Sequence, residues 1–199
     1  MITLAVDAMG GDSGLAVTAP GAAAFLKQQR DVRLIMVGDE AAVRKALAEA
    51  GAPMERITIQ HATQVVEMDE APQSALKNKK DSSMRIAINQ VKEGNAQAAV
   101  SAGNTGALMA TARFVLKTMA GIERPAIAKF IPSADNHMTL VLDLGANVDC
   151  NADQLTQFAV IGSELFQALY PEKGRPRVGL LNVGTEDIKG TDTAKQTFK

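Results

Sequence analysis

The chain has 199 residues, of which 46% are hydrophobic and 22% charged, and its formal net charge is -1. This balance excludes a disordered chain and predicts a globular protein with a sizeable core. It also excludes the broad basic field that nucleic acid requires, and with six Phe, one Tyr and no Trp there are few platforms for stacked bases. Cys150 is the single cysteine, so neither an internal disulfide nor a thiolate-rich zinc site is expected. Apolar runs such as RLIMVG and TLVLDLGA are too short to span a bilayer, and Met1 leads straight into a strand-like run without a charged leader. A cytoplasmic location is the expectation.

In chain order, strands are predicted at residues 2–6, 32–37, 56–60, 97–100, 126–131, 138–143 and 177–183, from short runs of aliphatic and β-branched residues. Helices are expected between most of them. The segment 82–94 has Ser82 or Ser83 at its start, Met84, Ala87, Ile88 and Val91 along one side, and Gly94 as its stop. The segment from Asn151 to Leu169 has Asn151 or Asp153 as cap, with Leu155, Phe158, Ala159, Leu165, Phe166 and Leu169 on one face. Strands alternating with helices predict an α/β fold, a largely parallel sheet flanked by helices, in a single domain over 1–199. The run TDTAKQTF near the end reads as a capped helix with no closing Gly or Pro, which suggests that the natural chain continues.

In such folds ligands bind beyond the carboxyl ends of the strands. Four strand ends combine glycine with small polar residues: DAMGGD (Asp7, Met9, Gly10, Gly11, Asp12), SAGNTGA (Ser101, Gly103, Asn104, Thr105, Gly106), LGANVDC (Gly145, Asn147) and GTEDIKG (Thr185, Glu186, Lys189). Glycine lets backbone N–H groups approach a ligand, and a helix starting beside them adds the positive end of its dipole. One helix end contributes only about 0.3–1 kcal/mol to a charged partner, so several such tips must converge to hold an anion. Neither the P-loop nor the dinucleotide spacing is present. Lys189 is either a solvated helix-end lysine or the charge that neutralises a bound phosphate. His61 and His137 lack acidic or cysteine companions and read as surface or packing residues, so no metal is expected. Cys150 follows Asp149, which raises a thiol pKa, and reads as a small buried thiol rather than a nucleophile. The charged run KNKKDSSMR, with Lys77, Lys79, Lys80 and Arg85, is either a solvated face or a patch for an acidic partner.

Six blocks in order, AVDAMGGD, KKDSSMR, VSAGNTGALM, GIERPAIA, LDLGANVDC and LLNVGTEDIKG, resemble the successive motifs of the bacterial acyl-ACP:phosphate acyltransferases of phospholipid synthesis. The resemblance implies a fold like that of phosphotransacetylases and isocitrate-dehydrogenase-like proteins. It implies conversion of acyl-ACP and inorganic phosphate into acyl phosphate and free acyl carrier protein, without a cofactor. It further implies a homodimer with peripheral attachment to the inner membrane face. Family members run on past the KG block, so this chain reads as the N-terminal portion of a longer domain. On this resemblance phosphate sits among the SAGNTGA and GTEDIKG tips with Lys189 balancing its charge. Asn104, Asn147 and nearby N–H groups are the candidate oxyanion donors, each worth ~2.7–4 kcal/mol in other acyl-transfer sites. Asp7 and Asp12 orient the loops. Two alternatives stay open: a phosphotransacetylase-like enzyme acting on acyl-CoA, and a non-catalytic scaffold that binds acyl carrier protein through KNKKDSSMR.

Overall fold

The computed structural model describes residues 1–132, 134, 138–186 and 188–199. His137 therefore lies outside the described residues, as does Asp187 of the GTEDIKG run. The chain forms two compact units, Met1–Lys117 and Thr118–Lys199.

The first unit is built on β1 (Ile2–Asp7), β2 (Val32–Gly38), β3 (Ile57–His61) and β4 (Ala98–Val100), all parallel, in the order β3-β2-β1-β4. Helices α1 (Leu15–Gln28) and α2 (Glu40–Glu49) make the first two crossovers, and α3 (Pro72–Asn78) with α4 (Ser83–Lys92) makes the third. Helix α5 (Thr105–Leu116) leaves β4. The period-2 alternation of β2 sorts its side chains between two cores. Leu34 and Met36 join Leu26, Val43 and Leu47 on one face, and Ile35 and Val37 join Ala5, Ala62 and Ala87 on the other. A third cluster of Val66, Ala75, Met84, Ile88, Ala107 and Val115 holds α3, α4 and α5 together. The expected cap and stop of α4 are both present: Ser82 Oγ accepts the Arg85 N–H at 3.2 Å, and Gly94 adopts φ +78° just beyond the C-terminus.

The second unit departs from the predicted pattern. β5 (Lys129–Pro132) and β6 (Met138–Val141) pair with each other antiparallel, so the parallel sheet belongs to the first unit. β6 stops at Val141, two residues short of its predicted end, because Asp143 organises a turn instead. Helix α6 (Ala152–Leu169) follows prediction closely. Asn151 accepts the Gln154 N–H at 2.8 Å while the Gln154 side chain accepts the Asn151 N–H at 3.3 Å, a complete capping box. Phe166 of α6 packs with Tyr170 and with Phe130 of β5, at ring-centre distances of 5.2 and 6.3 Å. Helix α7 (Asp192–Phe198) is capped by Thr191. The strand predicted at 177–183 does not form. Val178, Leu181 and Val183 are exposed, Leu181 almost fully, and no strand lies beside the run among the described residues. A strand cannot stand without a neighbour to take its N–H and C=O groups.

Candidate anion site at the tips of strands β1 and β4

Strand order decides where a ligand fits. From β1 the chain winds outward through β2 to β3, then returns to place β4 on the other side of β1. The switch point therefore lies between the carboxyl ends of β1 and β4, where the DAMGGD and SAGNTGA tips meet.

A short hydrogen-bond chain locks these tips together. Ser101 Oγ donates to Asp7 Oδ2 at 2.7 Å and accepts the Gly103 N–H at 3.0 Å. Asp7 is only 2% exposed, and its Oδ1 is buried without a hydrogen-bond partner. The contact is close enough to demand glycine. A Cβ on Gly10 would lie 2.5 Å from Asp7 Oδ2 and 3.1 Å from the Gly103 nitrogen. Gly11 has φ +89°, and a Cβ there would meet the Ala102 carbonyl oxygen at 3.0 Å.

Asn104 caps α5. Its Oδ1 accepts the Ala107 N–H at 3.0 Å, and its Nδ2 donates to the carbonyls of Met68 and Glu70, each at 2.9 Å. The side chain predicted as an oxyanion donor is thus engaged in tying the 67–70 loop to the helix start. The backbone N–H groups of Asn104, Thr105 and Gly106 have no acceptor among the described residues, nor do those of Met9 to Asp12. Thr105, Gly106 and Asp12 are exposed. Met9 packs over Gly38, where a Cβ would come within 2.8 Å of Met9 Cγ, which makes it a packing residue of the β1 tip. What this corner offers chemically is a set of N–H donors without acceptors among the described residues, beside the positive end of a twelve-residue helix.

The other two predicted tips belong to the second unit and are described within it. The Asp143 carboxylate accepts the N–H groups of Ile127 (2.9 Å), Ala146 (3.3 Å) and Asn147 (2.7 Å), together with the Asn147 side-chain amide (2.8 Å). Burial pushes this carboxyl up, but the N–H of Ile127 and those of Asn147 and Ala146 outweigh it and hold the carboxyl below its ordinary 3.8. Asn147 Nδ2 also donates to the Pro125 carbonyl at 3.0 Å, so this predicted oxyanion donor is engaged too. Gly145 forms the exposed corner of the turn, with φ +84°. Sequence reasoning missed Asp143, although an Asp closing an apolar run before L-G-A-N spells an Asx turn. Cys150, expected to be buried, is half-buried; its thiol is pushed up by burial and by Asp143 and Asp149, against the pull of Arg124.

Lys189 was expected at a strand tip. With no strand at 177–183, it stands in a turn-rich loop, where its Nζ lies 3.8 Å from Glu186 Oε1 and its N–H donates to the Glu186 carbonyl at 2.8 Å. Thr185, Glu186 and Lys189 are all exposed. Of the histidines, His61 accepts the Glu40 N–H at its Nδ1 (3.2 Å) at the start of α2, a local structural contact. Among the described residues no group of three or more His, Cys, Asp or Glu side chains could hold a metal, and no helix is long and apolar enough to cross a membrane.

A parallel α/β sheet covered on both faces, with glycine-rich loops at its switch point, defines the class of doubly wound α/β proteins. Within it the chain belongs to the family described as "Fatty acid synthesis protein", whose model matches residues 2–199. It is 80% identical over its whole length to a phosphate acyltransferase of Neisseria meningitidis serogroup B. It is 66% identical over 197 residues to one of Chromobacterium violaceum. The chain covers 57% and 56% of these relatives' own lengths, so it spans little more than half of the proteins it matches. Among solved structures, a phosphotransacetylase from Streptococcus pyogenes is similar with a TM-score of 0.63 over 85% of this chain and 54% of that one. The EutD phosphotransacetylase from Staphylococcus aureus is similar with a TM-score of 0.68, over 98% of this chain and 62% of that one. Both are 18% identical in sequence and establish the phosphotransacetylase-like fold.

Proposed function

We propose that this chain carries the phosphate-holding half of an acyl-ACP:phosphate acyltransferase, acting in phospholipid synthesis. The observation that carries the reading is the locked pair of glycine loops at the sheet's switch point. Its N–H groups have no acceptor among the described residues, in a chain 80% identical to a phosphate acyltransferase. Inorganic phosphate binds at the start of α5 between the β1 and β4 tips, held by backbone N–H groups and the Thr105 hydroxyl. One phosphate oxygen attacks the thioester carbonyl carbon of acyl carrier protein. The new C–O bond forms as the C–S bond breaks, and the proton of hydrogen phosphate goes to the departing thiolate. No enzyme nucleophile takes part, which fits a Cys150 thiol held protonated. With Asn104 and Asn147 engaged as turn and cap residues, backbone N–H groups are the better oxyanion donors. Lys189, whose exposed ammonium lies 3.8 Å from Glu186, is kept on the family resemblance alone as the residue that balances phosphate charge. The working protein is a cytoplasmic homodimer, in peripheral contact with the membrane.

The test is phosphate-dependent release of free thiol from acyl-ACP and, in parallel, from acyl-CoA. It is run on this chain and on a chain extended to the relatives' length. Release from acyl-ACP supports the reading. Release from acyl-CoA alone assigns the protein to the phosphotransacetylase type, and binding of acyl carrier protein without release makes it a scaffold. In the active form Lys189→Ala raises the phosphate requirement at least tenfold; unchanged turnover at low phosphate removes Lys189 from the site.

A further inference from the structure

We infer that the outer face of α4 and α5 is a docking surface for an acidic, amphipathic helix of a protein partner. Its centre is Phe114, whose ring stands 52% exposed near the end of α5. The Arg85 guanidinium carbon, on α4, lies 5.1 Å from the ring centre, and Lys117 Nζ lies 4.9 Å from it. These two cation–π contacts preset the ring's position, so an approaching partner need not order it. Among the described residues neither cation has a carboxylate within ion-pair distance, and exposed Arg113 adds a third positive charge on the same helix.

Lys79, from the same charged run as Arg85, is the contrast. It donates to the Val65 carbonyl at 3.0 Å and lies 3.8 Å from Glu70, so it holds its own loop. The basic run thus holds one structural lysine, Lys79, two exposed lysines, Lys77 and Lys80, and Arg85, half-buried against the Phe114 ring. In a chain of net charge -1, an aromatic anchor touched by two cations without carboxylate partners among the described residues is a local exception. It has the composition of an interface centre, and its sign selects an acidic partner.

The geometry narrows the partner further. Both cations lie within about 5 Å of one ring centre, so their separation is at most about two helical turns, ~10.8 Å. A helix with carboxylates one or two turns apart, on either side of an apolar side chain, matches that spacing. A lipid surface matches less well. Ala107, Thr111 and Val115 of α5 are turned into the core, and its two exposed large apolar side chains, Phe114 and Leu116, stand two residues apart on different faces of the helix rather than in one continuous apolar face.

The inference rests on the reading above in one respect, the choice of acyl carrier protein as the acidic probe. Purified acyl carrier protein is titrated into the full chain, and into Phe114→Ala, Arg85→Glu/Lys117→Glu and Lys45→Glu variants, at low and physiological salt, with thermal melts to verify folding. The inference expects at least tenfold weaker binding for the first two variants and no change for Lys45→Glu, on α2. It also expects the wild-type affinity to fall with salt and that fall to flatten in the double variant. Equal binding by all four proteins overturns the surface and leaves the acyl-transfer reading standing. Absence of binding to the wild type overturns both. Binding to phosphatidylglycerol vesicles that the same variants abolish, without carrier-protein binding, reassigns the face to lipid and overturns the inference.

Discussion

Ser101 has two neighbours that are far away in the sequence or invisible in it. Its hydroxyl joins a buried carboxylate on β1 to a backbone N–H on its own loop. Ser101→Ala removes the acceptor for Gly103 and a donor to Asp7, and unsatisfied buried groups cost about 1–3 kcal/mol each. The expected outcome is a lower melting temperature together with several-fold weaker phosphate binding by calorimetry. If only the melting temperature moves, the network is structural alone. Asp143 yields a pH prediction at the same scale. Its folded-state pKa lies below the unfolded value, so its contribution is full above about 4 and is lost as pH falls through the lower, folded value. The amide resonances of Ile127 and Asn147 shift together in that acid range, and Asp143→Asn abolishes the transition. The letters marked Asp7, Ser101 and Gly103 as residues of a polar tip. They did not show that Asn104 and Asn147 were already engaged, because their acceptors are carbonyls of Met68, Glu70 and Pro125, which carry no side-chain signature.

Among the elements, caps and periodicity were legible where the interactions are local. Ser82 on α4 and Asn151 on α6 bond N–H groups three residues ahead, so spacing alone suffices to find them. Strand pairing is not local. Residues 126–131 and 138–143 have strand composition, yet nothing in it distinguishes a parallel neighbour from the antiparallel β5–β6 ladder that forms. The run 177–183 is apolar enough for a strand but finds no edge. Asn104 belongs to this scale as well, since it both caps α5 and ties down the 67–70 loop. Asn104→Ala destabilises the first unit by about 0.5–2 kcal/mol, the usual value of a cap. Asn104→Asp keeps the cap but loses the amide donors, and an intermediate stability from urea melts separates the two roles.

Across the whole molecule, burial is uneven. Among the described residues every buried hydrophobic side chain except Phe158 lies in Met1–Lys117, and α6 buries only Gln154 and Phe158. Local stability follows buried contacts. Hydrogen exchange is therefore expected to protect the amides of β1 and β2 by at least tenfold more than those of β5 and β6. Equal protection would show that burial does not govern stability here. The sequence by itself determined the alternation of strands and helices, the caps, the glycine-rich tips and the family, because these depend on residues close together or on motifs read whole. Only the tertiary structure decided that the β1 and β4 tips share the switch point, that Asp7 reaches Ser101, and that Phe114 stands between Arg85 and Lys117. Each of these depends on strand order and helix packing, which bring residues distant in the chain to one place and leave no local signal of doing so.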